Sequence, residues 1–226
     1  NEWAAEARGR GDVGRLGDGS RQEFYHAPKN KQDRINQWMN KLDLDYQVYV
    51  DLLSDITRGD ALSLFLRKRG NDPVKRTTSD VGFGVSQILP VIIQGVISED
   101  KTICVEEPEI HLHPRLQARV ADFLIDTTKR RRGNNQWIVE THSELLVQRI
   151  QRRIREGVIS NNDVSVLYVD PVRRSASVIR ELRLDANGEF LDEWPSGFFE
   201  ESFEELMSFN DLAGSDTLDL IEEDQT

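Results

Sequence analysis

TICVEEPEIHLHP, residues 102–114, decides how this chain is read. Ile103, Cys104 and Val105 form a short apolar run that ends abruptly in Glu106, Glu107 and Pro108. Two carboxylates and a proline cannot continue a buried strand, so a core strand stops here with its acids at the tip. In an open parallel sheet the C-terminal edge of the strands is where ligand chemistry sits, and a phosphate-handling site needs carboxylates there. Neighbouring strand residues face opposite sides, so the two acids take different partners. Glu106 is placed to hold Mg2+ directly or through water, and Glu107 to orient or deprotonate a water attacking a γ-phosphate.

Two further stretches extend this pattern. QWIVETHSE, residues 136–144, is a second apolar strand ending in polar residues, with His142 at its tip. If the two strands are neighbours, His142 stands beside Glu107, where an imidazole can hydrogen-bond a phosphate or sense its loss. Thr141 and Ser143 also suit the cap of the following helix. Upstream, SDVGFGVSQ, residues 79–87, sets Gly82, Gly84, Ser86 and Gln87 at a helix start. Small residues let backbone approach phosphate, and free N–H groups with the helix dipole attract anions.

Around these stretches the chain alternates. GVSQILPVIIQGVI reads as a buried helix with Pro90 in its first turns, and Pro114 opens a second helix, PRLQARVADFLIDTTKRR. A third helix runs from about Glu144 to Glu156 and a third core strand, DVSVLYVD, follows. Strand, helix, strand, helix, strand predicts a parallel sheet layered with helices. Before it, Ile35, Trp38, Met39 and Leu42 fall at helical spacing, then YQVYV and ALSLFLRK read as short strands, with Gly59-Asp60 and Gly70-Asn71-Asp72-Pro73 as turn punctuation. Beyond it, ASVIRELRLDANGEF reads as a hairpin or edge strand turning at Asn187-Gly188.

Charge is unevenly placed. The 226 residues carry a net −11, and no Lys or Arg follows Arg183, where fourteen acids leave the preceding residues at +3. An acidic total therefore does not exclude a nucleic-acid partner for the body of the chain. No apolar run approaches the ~20 residues that cross a bilayer, and the first residues lack a secretion signal's apolar centre. The single cysteine, Cys104, reads as a buried thiol, which fits a reducing cytoplasm.

SDVGFGVSQ, ICVEEPEIHLHP and VETHSE, in that order, resemble the signature motif, the Walker B strand with D-loop, and the switch histidine of ABC-type ATPases in the SMC-like and RecF-like branch. DVGFGVSQILPVI, ETHSELLVQRIQRRIREG and WPSGFFEE add a resemblance to bacterial AAA-family ATPases with a C-terminal domain of unknown function, over roughly residues 12–206. The resemblance implies an ATP- and Mg2+-dependent hydrolase in which two sites form between two subunits, each P-loop facing the partner's signature. Glu106 then replaces the usual Mg2+-associated aspartate, Glu107 matches the catalytic glutamate, His142 matches the switch histidine, and Gly82, Gly84, Ser86 and Gln87 lie at the signature. It also implies a homodimer or higher assembly, DNA as a possible partner, a separate effector nuclease or toxin, and a role in DNA maintenance or antiviral defence. The signature lacks the usual Ser-Gly-Gly order. No GxxxxGK followed by Ser or Thr occurs in the chain. The reading is thus an α/β, P-loop NTPase-like half-domain completed by a P-loop that lies N-terminal in a longer protein.

The expected divisions are a loop or linker over 1–30, a helix with a small β element over 31–78, the C-terminal half of an ABC-type ATPase over 79–184, and an acidic extension over 185–226. In the loop after Glu107, Glu109 and His111 are expected at the subunit interface. His111 and His113 alone lack the further ligands of a zinc site, and a metal-dependent hydrolase built on them with His142 is a lesser rival. Arg149, Arg152 and Arg153 share a helix face suited to phosphate backbones, with Arg155 pointing away, while KRRR at 129–132 and Arg173-Arg174 read as solvated charge. Trp194, Phe198, Phe199 and Phe203, interleaved with acids, read as a core-capping or docking cluster that recruits a basic partner. The main alternative in function is a non-catalytic ATPase-like interaction module.

Overall fold

The computed structural model describes residues 11–15, 17–55, 59–70, 72–129, 133–170 and 176–193, and the chain divides into two compact units, Asn1–Ile150 and Gln151–Thr226. Within the stretch read as linker, the described residues hold a short helix, α1, Ser20–His26. Val13 and Phe24 are buried in the core, and the Val13 N–H donates to Gln94 Oε1 at 2.7 Å. Two apolar anchors this far apart show no helical period, which is why the stretch reads as a loop in sequence.

Helix α2, Lys29–Lys41, starts directly after Pro28. It buries Ile35, Trp38 and Met39 on one stripe, with Leu42 just beyond its end. Strands β1, Tyr46–Asp55, and β2, Gly59–Lys68, then pair as an antiparallel hairpin in which Val48 opposes Leu66, both buried. Gly59 and Asp60 belong to β2, opposite Asp55 and Ser54, rather than to a turn. The reversal falls in residues 56–58, outside the described residues.

A 3-10 turn, Thr78–Asp80, leads into α3, Phe83–Ile97. Pro90 lies in the middle of α3, not in its first turns. An interior proline costs about 3 kcal/mol, offset here by burial of Ile88, Leu89, Ile92, Ile93 and Val96. Gly17 makes room for the ring, because a Cβ there would stand 2.6 Å from Pro90 Cγ.

Strand β3, Thr102–Glu106, helix α4, Pro114–Thr128, strand β4, Gln136–Glu140, and helix α5, Glu144–Arg155, complete the alternating run. β3 and β4 are parallel neighbours, paired from Thr102 with Gln136 to Glu106 with Glu140. Exposure alternates along both strands. Ile103, Val105, Trp137 and Val139 are half-buried, while Cys104 and Ile138 lie on the open face. Cys104 is therefore exposed rather than buried. An apolar run tells that a strand has a core side, but not that its other side is covered.

In the second unit a 3-10 turn, Asn161–Asp163, precedes β5, Val166–Asp170, and β6, Val178–Leu182. β5 pairs antiparallel with β6 instead of extending the parallel pair. The reversal at Asn187-Gly188 forms as expected, with Gly188 at φ 74 and its N–H donating to Asp185 O at 3.0 Å. Arg183 clasps Asp192 through its guanidinium first and its backbone N–H second, which lowers the Asp192 pKa to about 2. Trp194, Phe198, Phe199 and Phe203, residues 130–132, and Arg173-Arg174 lie outside the described residues. Among the described residues no helix is long and apolar enough to cross a membrane.

Candidate functional site

Parallel pairing carries the tips of β3 and β4 to the same edge. The Glu107 N–H donates to Glu140 O at 2.8 Å and so extends the ladder by one residue. Glu107 then leaves the strand at φ 44, in the left-handed region that non-glycine residues rarely occupy. That bend turns its carboxylate toward the neighbouring tip, where His142 Nε2 stands 3.5 Å from Glu107 Oε1. The expected adjacency of Glu107 and His142 is thus present. Both groups stay open to solvent, the histidine with 72% of its side chain exposed.

Glu106 lies on the open face of the sheet, directly across from Glu140. Both are exposed, and two like charges opposed on one sheet face repel. A divalent cation relieves that repulsion, and Mg2+ commonly uses one or two carboxylates and takes its remaining ligands from water and phosphate. Glu140 belongs to no motif of its own; only its pairing with Glu106 in the ladder marks it, because residues opposite one another share a face.

Glu109 does not behave as an interface residue. It is only 4% exposed, because the loop after β3 folds back under the tip of β4. Its Oε1 accepts from the Thr141 hydroxyl, and its Oε2 is buried without a partner. The chain of contacts continues: the Ser143 N–H donates to Thr141 Oγ1 at 3.0 Å, the Ser143 hydroxyl to Gln117 Oε1 at 2.8 Å, and Gln117 Nε2 to Leu112 O at 3.1 Å. His142 is held between the two hydroxyl residues of this clasp. Ser143 also caps α5 by accepting from the Leu146 N–H at 3.3 Å.

His111 is exposed and stacks at a tilt against Phe83, ring centroids 5.9 Å apart. His113 caps α4, accepting from the Arg115 N–H at 3.3 Å. Both histidines thus have structural partners. Among the described residues no three His, Cys, Asp or Glu side chains converge as a metal-holding group.

The turn at Gly82–Gln87 approaches the same loop. A Cβ on Gly84 would lie 2.7 Å from His111 O, whereas one on Gly82 would meet nothing within 4 Å. Gly84 is thus a packing glycine and Gly82 an open one. Gly82 is the N-cap of α3, no side chain caps it, and the first turn holds no acid. The leading N–H groups thus stand at the positive end of a helix without a side-chain cap, a fit for an anionic oxygen. The Ser86 hydroxyl donates to Phe83 O at 2.8 Å, and Gln87 is exposed. Just ahead, Thr77 donates both its N–H and hydroxyl to Asp80, and the backbone bond first of all holds that carboxyl below its usual range.

The basic residues of α5 have carboxylates beside them, four cations to three acids. Arg149 reaches Asp122, and Arg152 and Arg153 both reach Glu156, with Arg155 on Glu189.

Residues 18–147 match the AAA ATPase domain family, and residues 159–209 match a family described as a protein of unknown function, DUF3696. No curated protein matches. An Smc head bound to the C-winged helix domain of ScpA shares the fold, with 16% identity and a TM-score of 0.50 over 69% of this chain and 43% of that one. A structure described by ATP-driven dimerization and DNA-stimulated activation of SMC ATPases is similar at 14% identity and TM-score 0.49, over 78% of this chain and 91% of that one. The Smc head with an extended coiled coil from Pyrococcus furiosus, bound to the C-terminal domain of ScpA, gives 14% identity and 0.48 over 80% of this chain and 37% of that one. The chain spans less than half of either ScpA-bound Smc head.

Proposed function

The chain belongs to the AAA ATPase domain family, and on that premise we propose that it supplies the hydrolytic carboxylates of an ATPase head working as a pair of subunits. The observation that carries this reading is the Glu107–His142 juxtaposition, 3.5 Å apart at adjacent tips of parallel strands. Glu107 orients the attacking water and accepts its proton. His142, hydrogen-bonding to Glu107 or to a terminal phosphate oxygen, reports whether the phosphate is present. Glu106, with Glu140 opposite, holds Mg2+, which when bound neutralises phosphate charge. The open N-terminus of α3 at Gly82, Phe83 and Gly84 faces the nucleotide of the second subunit, with Ser86 and Gln87 on the following turn.

The motif GxxxxGK followed by Ser or Thr does not occur in residues 1–226, and in this reading the phosphate cradle comes from another segment or another chain. Coupling of the cycle to DNA maintenance or to an effector in antiviral defence, in the cytoplasm, rests on family analogy.

The test is Glu107→Gln in the protein that includes its P-loop. Turnover is expected to fall about 10²–10⁴-fold, the usual span of a general base, while ATP-bound dimers accumulate on size exclusion. Undiminished turnover sinks the assignment. Failure of the P-loop-bearing protein to bind ATP at all favours the non-catalytic interaction module instead.

A further inference from the structure

The trough between α2 and the β1–β2 hairpin takes no part in the site above. A hollow of ≈ 430 Å3 opens there, walled by Lys29, Lys41 and Arg69 against a single acid, Asp33. Gln37, Asn40 and Gln47 stand between the cations. A second hollow of ≈ 130 Å3 shares Lys29 and Tyr49 with the first and adds Tyr25.

Most cations of this unit are already held by carboxylates, as Lys29 is by Asp33 at 3.1 Å, Lys31 by Glu99, Lys75 by Asp51, Arg76 by Asp72 and Arg119 by Asp43. Lys41 and Arg69 have no such ion pair among the described residues. The Lys41 ammonium lies 4.2 Å from the centre of the Trp38 ring. Arg69 donates one guanidinium N–H to Asn36 O at 3.0 Å, yet its Nε is buried without an acceptor. A guanidinium or ammonium without a carboxylate partner is suited to an anionic oxygen.

Cations alone would accept any anion, but the aromatic content narrows the class. Tyr25 and Tyr49 are 41% and 38% exposed on the wall of the same trough. Rings beside a cationic groove serve unpaired bases, which stack, whereas a duplex presents mainly its phosphates. We propose that this trough binds single-stranded nucleic acid, the phosphodiester backbone on Lys41 and Arg69 and the bases against Tyr25 and Tyr49.

The test is fluorescence anisotropy on the full chain without ATP, so the outcome is independent of the ATPase reading. The probes are a labelled oligothymidylate of about 20 nucleotides, a duplex of equal length and a glutamate-rich peptide, at about 50 and 200 mM salt. The wild type is expected to prefer the single strand and to weaken as salt rises. Lys41→Glu is expected to weaken binding at least tenfold, with a shallower salt slope, and Tyr49→Ala several-fold at both salts. Both side chains are exposed, so unchanged melting of each variant checks the fold, and Arg152→Glu on α5 should bind as wild type. No binding by the wild type, preference for duplex or peptide, or unaltered affinity in a folded Lys41→Glu protein would overturn the proposal.

Discussion

Gly82 and Gly84 stand in one turn and are required by different forces. Beyond Gly82 lies open space, so a methyl group there changes no packing. At Gly84 the same methyl group would press on His111 O at 2.7 Å and Leu112 Cδ2 at 3.0 Å, both part of the loop that begins at Glu107. That loop already holds two non-glycine residues at positive φ, Glu107 at 44 and His111 at 61, each costing on the order of 1–2 kcal/mol. Further crowding has little room to relax. Gly84→Ala is therefore expected to lose roughly 1–3 kcal/mol in a urea melt, the usual cost of overpacking. Gly82→Ala should stay within about 0.5 kcal/mol of wild type, yet lower turnover in the P-loop-bearing protein if this backbone approaches phosphate. Equal melts for the two variants would refute the steric distinction.

The elements that position the site were legible where a single local rule decided them. Pro114 marks the start of α4, and one helix between two apolar strands is the pattern of a right-handed parallel pair, which set His142 beside Glu107. What depended on distant chain was not legible. Glu106, Glu107 and Glu109 are equivalent acids in a sequence, but only Glu109 is met by Thr141, 32 residues later, and buried. β5, like β3, is an apolar run that ends in an acid, and nothing in the sequence between it and β6 signals an antiparallel register. The clasp between Glu109 and Thr141 should accordingly be a stability feature of the β3–β4 edge. Thr141→Val leaves both carboxylate oxygens of Glu109 without a donor, and the expected loss is about 1–3 kcal/mol on thermal or urea unfolding. Thr141→Ser keeps the hydroxyl and is expected to recover most of it. A Thr141→Val protein as stable as wild type would show that the contact contributes nothing.

At the scale of the molecule, the open face of β3 and β4 is the feature that most needs explaining. Parallel strands are nearly always covered on both faces, and here one face presents the exposed Cys104 and Ile138, the latter 57% exposed. The same face ends in Glu106 and Glu140. A segment that covers the apolar part would therefore arrive beside the two carboxylates, where the proposed function needs a phosphate cradle. Cys104 makes this arrangement measurable, because it is the chain's single thiol and sits in the middle of the uncovered strand. In the 226-residue chain a maleimide reagent is expected to label it readily and stoichiometrically. In the protein extended to include a P-loop segment, labelling should slow by at least about tenfold, because cysteine reactivity follows exposure. Denaturant should restore it. Equal labelling rates in the two proteins would mean that the cradle does not dock on this face, and Glu106 and Glu140 would then have no phosphate to share a cation with.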